Sequence, residues 1–243
     1  MVSSRGPKKS LGQHWLKDPE ILADIAEAAE LTGDDVVLEI GPGLGTLTSR
    51  LLARANSVTA VEFDADLARK LPGQFPGKKL TVVNQDILQF DLNQLPKNYK
   101  VVANVPYYIT SKIVEKLMTA ENKPSIAVLL VQKEVAERIA AEAGNMSVLS
   151  VSVQIFAEAE LDIEVPRQFF TPPPKVDSQV VVLRIRDNPL ITTESFLFNS
   201  ATLSAISSNL QSTNLQREHL VKFLHFSAIL PPHSCQSPTR HSS

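Results

Sequence analysis

Between residues 20 and 186 the apolar positions alternate between helical spacing and short, unbroken β-branched runs. The segment DPEILADIAEAAEL repeats its apolar residues at helical intervals. Asp18 stands where an N-cap belongs and Pro19 at the first turn, so an amphipathic helix is expected there. DVVLEI follows as a buried strand. A glycine loop leads to the helix GTLTSRLLARA, and then come the strand SVTAVEF, the helix ADLARKL and the strand LTVVNQDI. The strand KVVANV, the helix TSKIVEKLM, the strand SIAVLLVQ and the helix KEVAERIAAEA continue the alternation. Strands buried on both faces and separated by helices form a parallel sheet with helices on each side.

After Gly144 the rhythm changes. SVLSVSVQIFAEAELDIEVP and SQVVVLRIR are two β-rich runs with no long helix between them. Parallel strands need a crossover, so at least one of these runs is expected to pair antiparallel at the end of the sheet. The expectation is an α/β, Rossmann-like doubly wound domain with a seven-stranded, mostly parallel sheet ending near residue 187, without internal repeats.

Composition narrows the classes. With 43% hydrophobic and 21% charged residues over 243 positions, the chain can bury one sizeable core and a small appended region. Cys235 is the only cysteine and lies in a polar tail, which leaves no intrachain disulfide and no cysteine metal cluster. No metal site is expected. The basic N-terminus lacks an apolar signal core, and no apolar stretch reaches membrane-spanning length, so a cytoplasmic protein without a membrane partner is expected. A net charge of −2 argues against non-specific coating of nucleic acid but permits local basic patches, of which Arg5, Lys8, Lys9 and Lys17 form one.

The candidate chemistry gathers at strand ends. In LEIGPGLGTLTSRLL, Gly41, Gly43 and Gly45 follow a strand and open a helix, an arrangement that allows close backbone approach and directs N–H groups at a ligand. The spacing is G-x-G-x-G and not the dinucleotide G-x-G-x-x-G. Glu39 precedes the loop, and Glu62 ends the next strand, where a carboxylate can accept both hydroxyls of a ribose. Asp86 ends the third strand, within reach of an adenine amino group. Each carboxylate alone could be a solvated loop residue, but strand ends on one side of a doubly wound sheet form a shared ligand crevice. A nucleoside ligand beside this loop suggests S-adenosylmethionine.

At the end of the fourth strand of that crevice stands NVPYY, residues 104–108. Pro106 and Tyr107 can be read as a strand stop and a core cap. They can equally be read as chemistry: an asparagine oxygen and a backbone carbonyl accept hydrogen bonds from an exocyclic amino group while a tyrosine ring stacks on the base. The company of the three other strand ends favours the second reading, methylation of an amino group on an unpaired base.

KKSLGQHWL, LEIGPGLGTLT, VTAVEFD, VVNQDIL, VVANVPYYITSKIV, LLVQKEVAERI and FFTPPPKVDSQVV together resemble the successive motifs of the KsgA-type ribosomal RNA adenine dimethyltransferases, over residues 5 to about 190. The resemblance implies a class I S-adenosylmethionine-dependent methyltransferase. Its reaction would place methyl groups on N6 of two adjacent adenines in a hairpin near the 3′ end of 16S rRNA, within an immature small ribosomal subunit, and the enzyme would be a monomer. It implies cofactor contacts from His14, Leu16, Gly41, Gly43, Glu62, Asp86 and Asn104. It also implies a target pocket made by Asn104, the Val105–Pro106 backbone, and Tyr107 and Phe170 sandwiching the adenine. Gln13-His14-Trp15 stands where members of the family usually carry Gln-Asn-Phe. Two other classes stay open: a non-catalytic small-subunit assembly factor, and a large-subunit rRNA adenine methyltransferase of the macrolide-resistance type.

The expected domains are residues 1–190, the methyltransferase with its basic arm, and 191–243, a remnant of the family's helical RNA-binding domain. The latter is Ser-rich, nearly uncharged after Phe196, and fades into a Pro/Ser/His tail that is expected to be disordered. A diverged end and a shifted reading frame both fit that change. The expected loss is of phosphate contacts, and the loop AEAGNMSVLS, less basic than its family counterpart, implies another.

Overall fold

Asp18 caps the first helix with its carboxylate, accepting from the N–H groups of Glu20 and Ile21, a local bond worth about 1 kcal/mol. That helix, α1, spans Pro19–Glu27 and buries Leu22, Ile25 and Ala26. The chain divides into Met1–Leu190 and Ile191–Ser243. The computed structural model describes residues 13–190. The basic residues Arg5, Lys8 and Lys9 and the C-terminal segment considered above lie outside the described residues, whereas Lys17 is exposed.

The strands are β1 (Trp15–Leu16), β2 (Val36–Ile40), β3 (Ser57–Glu62), β4 (Leu80–Asn84), β5 (Lys100–Asn104), β6 (Ile126–Gln132), β7 (Ala157–Val165), β8 (Phe170–Thr171) and β9 (Ser178–Ile185). The remaining helices are α2 (Thr46–Leu51), α3 (Ala65–Lys70), α4 (Thr110–Thr119), α5 (Lys133–Ile139) and α6 (Val148–Gln154). Seven strands make one sheet in the order β4-β3-β2-β5-β6-β9-β7, while β1 and β8 form a separate antiparallel pair. The pairs β2–β3, β2–β5, β3–β4 and β5–β6 are parallel. Val37, Leu38, Val101, Val102, Val128 and Leu129 are fully buried, as strands covered by helices on both faces require.

One expectation for the region after Gly144 is corrected. The first half of its leading β-rich run is helix α6. Ser147 and Ser150 form a reciprocal capping box, and Val151 and Val153 are buried, so capping and burial outweigh the β-branched propensity. Gln154 then donates to the carbonyls of Ile139 and Ala141, satisfying the end of α5. As expected, the antiparallel pairing lies at the end of the sheet. β9 pairs antiparallel with both β6 and β7, and β7 forms the edge. Along that edge Glu158, Glu160, Asp162 and Glu164 are exposed, and a register shift falls between Leu161 and Glu164; both features block pairing with another strand.

Candidate active site

Because β2 to β5 are parallel, their carboxyl ends lie on one side of the sheet. There the glycine loop, Glu62, Asp86 and Asn104 line a cavity of about 310 Å³ that also takes in His14, Trp15 and Leu16. Among the described residues, this cavity joins His14, Leu16, Gly41, Gly43, Glu62, Asp86, Asn104, Pro106 and Tyr107, every expected site residue but Phe170.

The glycine loop behaves differently from its sequence reading. Gly41, Gly43 and Gly45 all have positive φ (65°, 57° and 80°), which accounts for glycine at each. Their N–H groups do not point free into the cavity: Gly41 donates to the Val61 carbonyl, Gly45 to the Pro42 carbonyl, and Gly43 to the Glu62 carboxylate at 3.0 Å. Gly45 serves packing, since a Cβ there would stand 2.7 Å from Leu71 Cδ1. A Cβ on Gly43 would meet the Trp15 ring at 3.6 Å, an ordinary contact, so the positive φ and not space is what favours glycine there.

Glu62 is 6% exposed, and its two oxygens accept one backbone N–H each, from Gly43 and from Asp64 at 2.8 Å. Burial pushes its pKa up, and those N–H groups pull it back. Each oxygen retains a further lone pair for a ligand hydroxyl. Glu39, beneath the loop, is pushed up to about 8, first by burial and further by the charge of Glu62, with Thr48 opposing. Neither Glu39 oxygen reaches hydrogen-bonding geometry with Thr48 or any other described group. At neutral pH the crevice thus holds a protonated Glu39 behind Glu62. Asp86 fixes its own loop by accepting from the Leu88 N–H at 2.9 Å.

The N-terminal segment closes over the sheet and sets the fourth strand end. Asn104 Nδ2 donates to the His14 carbonyl at 3.2 Å, which turns Asn104 Oδ1 away from that bond as a spare acceptor. His14 Nδ1 lies 2.7 Å from the Pro172 carbonyl, which can only accept, so the imidazole proton sits on Nδ1. The His14 ring stacks on Tyr107, centroids 5.7 Å apart and planes 20° apart. The Tyr107 hydroxyl shares a 2.6 Å hydrogen bond with the buried Ser178 hydroxyl, and burial raises the phenol pKa. Thr46 Oγ1 donates to the Leu16 carbonyl, fastening β1 to the loop. The Pro106 carbonyl is already used by the Ile109 N–H and the Thr110 hydroxyl, which leaves the Val105 carbonyl as the backbone acceptor of this turn.

Phe170, expected in the sandwich, does not line this cavity. It pairs with Leu16 across β1–β8 and is 2% exposed, packed in the core with Val165 and Val180 rather than against the cavity. The adjacent Phe169 is the exposed one. The pattern of the sequence placed an aromatic before the prolines but could not tell which of two successive phenylalanines points inward. Ser178, Trp15, Phe63 and Tyr108 were likewise not assigned roles from sequence. The last three line the cavity, and Trp15 Nε1 is a buried donor beside the glycine loop without a partner among the described residues.

A parallel sheet with one antiparallel strand inserted next to its edge, and a glycine loop followed by carboxylates at successive strand ends, defines a class I S-adenosylmethionine-dependent methyltransferase. The sequence pattern described as ribosomal RNA adenine dimethylase matches residues 5–223. "Ribosomal RNA small subunit methyltransferase A" of Nostoc sp. is 46% identical over 196 residues, 74% of this chain and 72% of its own length. The protein of the same name from Crocosphaera subtropica is 41% identical over 240 residues, 90% of this chain and 88% of its own. Among solved structures, a 23S rRNA methyltransferase, ErmE, matches with TM-score 0.69 at 36% identity, covering 78% of this chain and 77% of its own. A dimethyladenosine transferase from Plasmodium falciparum matches with TM-score 0.67 at 36% identity, covering 77% and 67%. The chain belongs to the ribosomal RNA adenine dimethylase family.

Proposed function

We propose that this chain transfers methyl groups from S-adenosylmethionine to N6 of two adjacent adenines in a hairpin near the 3′ end of 16S rRNA, acting as a cytoplasmic monomer on an immature small subunit. The observation that carries the reading is the orientation of Asn104, whose amide N–H is spent on the His14 carbonyl and whose oxygen is left to accept from the adenine amino group.

The residues present fit the cofactor. The Glu62 carboxylate is held by backbone N–H groups with lone pairs to spare for the ribose, Asp86 stands at the next strand end for the adenine, and Trp15 Nε1, beside Gly43, offers a donor without a partner among the described residues. His14 and Leu16 close the cavity from above. When bound, S-adenosylmethionine supplies an electrophilic methyl on a sulfonium. The chain's own part is positioning. Adenine N6 is a poor nucleophile because its lone pair is delocalised into the ring. Asn104 Oδ1 and the Val105 carbonyl would bind its two N–H groups, favour a more tetrahedral nitrogen and turn the lone pair toward the cofactor. The amino proton becomes acidic only once the methyl has arrived, so hydrogen-bond acceptors suffice and no prior deprotonation is needed. Tyr107, fixed by Ser178 and backed by His14, presents its ring to the base. Phe170 would steady this arrangement from the core by fixing Leu16, in place of the sandwich role expected from the motif.

Small-subunit relatives by name at 46% and 41% identity support this reading over a large-subunit target or a non-catalytic assembly factor. The family match continuing to residue 223 supports taking 191–243 as a remnant of the family's C-terminal domain, with 1–190 the catalytic domain. The test is to incubate the chain with separated, unmodified small and large subunits and map modified adenines by primer extension. Two adjacent stops in the small-subunit rRNA alone support the proposal; stops in the large-subunit rRNA overturn it.

A further inference from the structure

Tyr107 and Tyr108 are consecutive, yet the fold treats them oppositely. Tyr107 is held by Ser178 and covered by His14. Tyr108 also lines the cavity, but it is 63% exposed, and neither its ring nor its hydroxyl has a stacking or hydrogen-bonding partner among the described residues. It sits in the turn Tyr107–Ile109 that runs directly into α4, and four residues on, one helical turn away, stands the exposed Lys112. None of the ion pairs among the described residues engages Lys112. A solvent-facing aromatic ring four residues before an exposed cation that forms no ion pair among the described residues, at the mouth of a pocket for a base, is the combination that single-stranded nucleic acid uses: a π face for a base and a charge for its phosphate.

We infer that Tyr108 and Lys112 form a subsite for the nucleotide next to the target adenine, its unpaired base stacked on Tyr108 and its phosphate at Lys112. The inference rests on the proposed function and deepens it. Because the two target adenines are adjacent, the neighbour held on Tyr108 while one adenine reacts is itself a substrate, and a one-nucleotide shift would bring it into the pocket without release of the RNA.

The test uses the full chain, with Tyr108→Ala, Tyr108→Phe and Lys112→Gln compared with wild type. Methyl incorporation into unmodified small subunits is measured across a salt series. Hairpin RNA carrying two adjacent loop adenines is titrated separately, by fluorescence anisotropy. Tyr108→Ala is expected to raise KM for subunits and Kd for the hairpin roughly tenfold or more, with Kd for S-adenosylmethionine and Tm unchanged, and Tyr108→Phe to recover most of that loss. Its product should shift from doubly to singly modified RNA. Lys112→Gln is expected to lower the slope of log Kd against log salt by about 0.7 to 0.9, the release of one counterion. Hairpin affinity unchanged in Tyr108→Ala, or lost equally in Tyr108→Phe, overturns the subsite. Absence of methyl incorporation by wild type would instead overturn the functional reading, and the hairpin titration would then decide the subsite alone.

Discussion

At the residue scale, Glu39 and Glu62 divide one job. Both lie at the crevice floor, yet only Glu62 receives backbone N–H groups, which oppose the upward push of burial, so the proton is held most firmly by Glu39. The carboxyl of Glu39 rises from its ordinary 4.5 to about 8 in the fold, so the native state holds the proton more tightly than the unfolded chain. Stability is therefore fullest below about 4.5 and falls as pH rises toward about 8, levelling off above. Denaturant titrations of wild type and Glu39→Gln across that window are expected to converge at its acid end and to separate by a few kcal/mol in favour of the variant at its alkaline end. A second prediction concerns the Tyr107–Ser178 bond. Tyr107→Phe and Ser178→Ala each lower kcat, and the double variant loses no more than the worse single one. The coupling in the cycle is about 0.5–1.5 kcal/mol.

At the element scale, the sequence carried much of the fold because buried strands and amphipathic helices leave different periods. β2, β3, β5 and β6, and the helices between them, stand where their apolar spacing placed them. Residues 148–154 were misread because Val, Leu and Ser suit both states, and a capping box with tertiary burial chose the helix. The insertion of β9 between β6 and β7 depends on how a long connection crosses the sheet, which no local pattern encodes. The glycine loop shows the same boundary: spacing announced three special backbone positions, but only the fold separates Gly45, which packs against Leu71, from the two that line the cavity. Gly45→Ala, with a Cβ 2.7 Å from Leu71 Cδ1 at φ 80°, is expected to cost about 1–3 kcal/mol and to lower Tm by several degrees.

For the whole molecule, the described residues of the candidate site run from Gln13 at one end to Ser178 at the other, all within Met1–Leu190. The N-terminal segment belongs to that apparatus, because His14 and Leu16 reach Asn104, Pro172 and Thr46 across the sheet. No long-range contact of this kind can be read from spacing; family resemblance implied only that His14 and Leu16 touch the cofactor. A chain ending at Leu190 is expected to bind S-adenosylmethionine with a Kd within about twofold of the full chain's, measured by calorimetry, because a domain with its own core keeps its site. The helices of the described residues are too short and polar to cross a membrane, and no metal-binding cluster occurs among those residues.

The central claim is that Asn104 Oδ1 aims at the amino group being methylated. It is tested most directly by transfer of labelled methyl from S-adenosylmethionine to unmodified small subunits, comparing wild type with Asn104→Ala. The expected result is N6,N6-dimethyladenosine from wild type and a rate lower by about a hundredfold or more in the variant, with cofactor binding retained. Equal incorporation by both, or none by a wild-type chain that binds the cofactor, would contradict it.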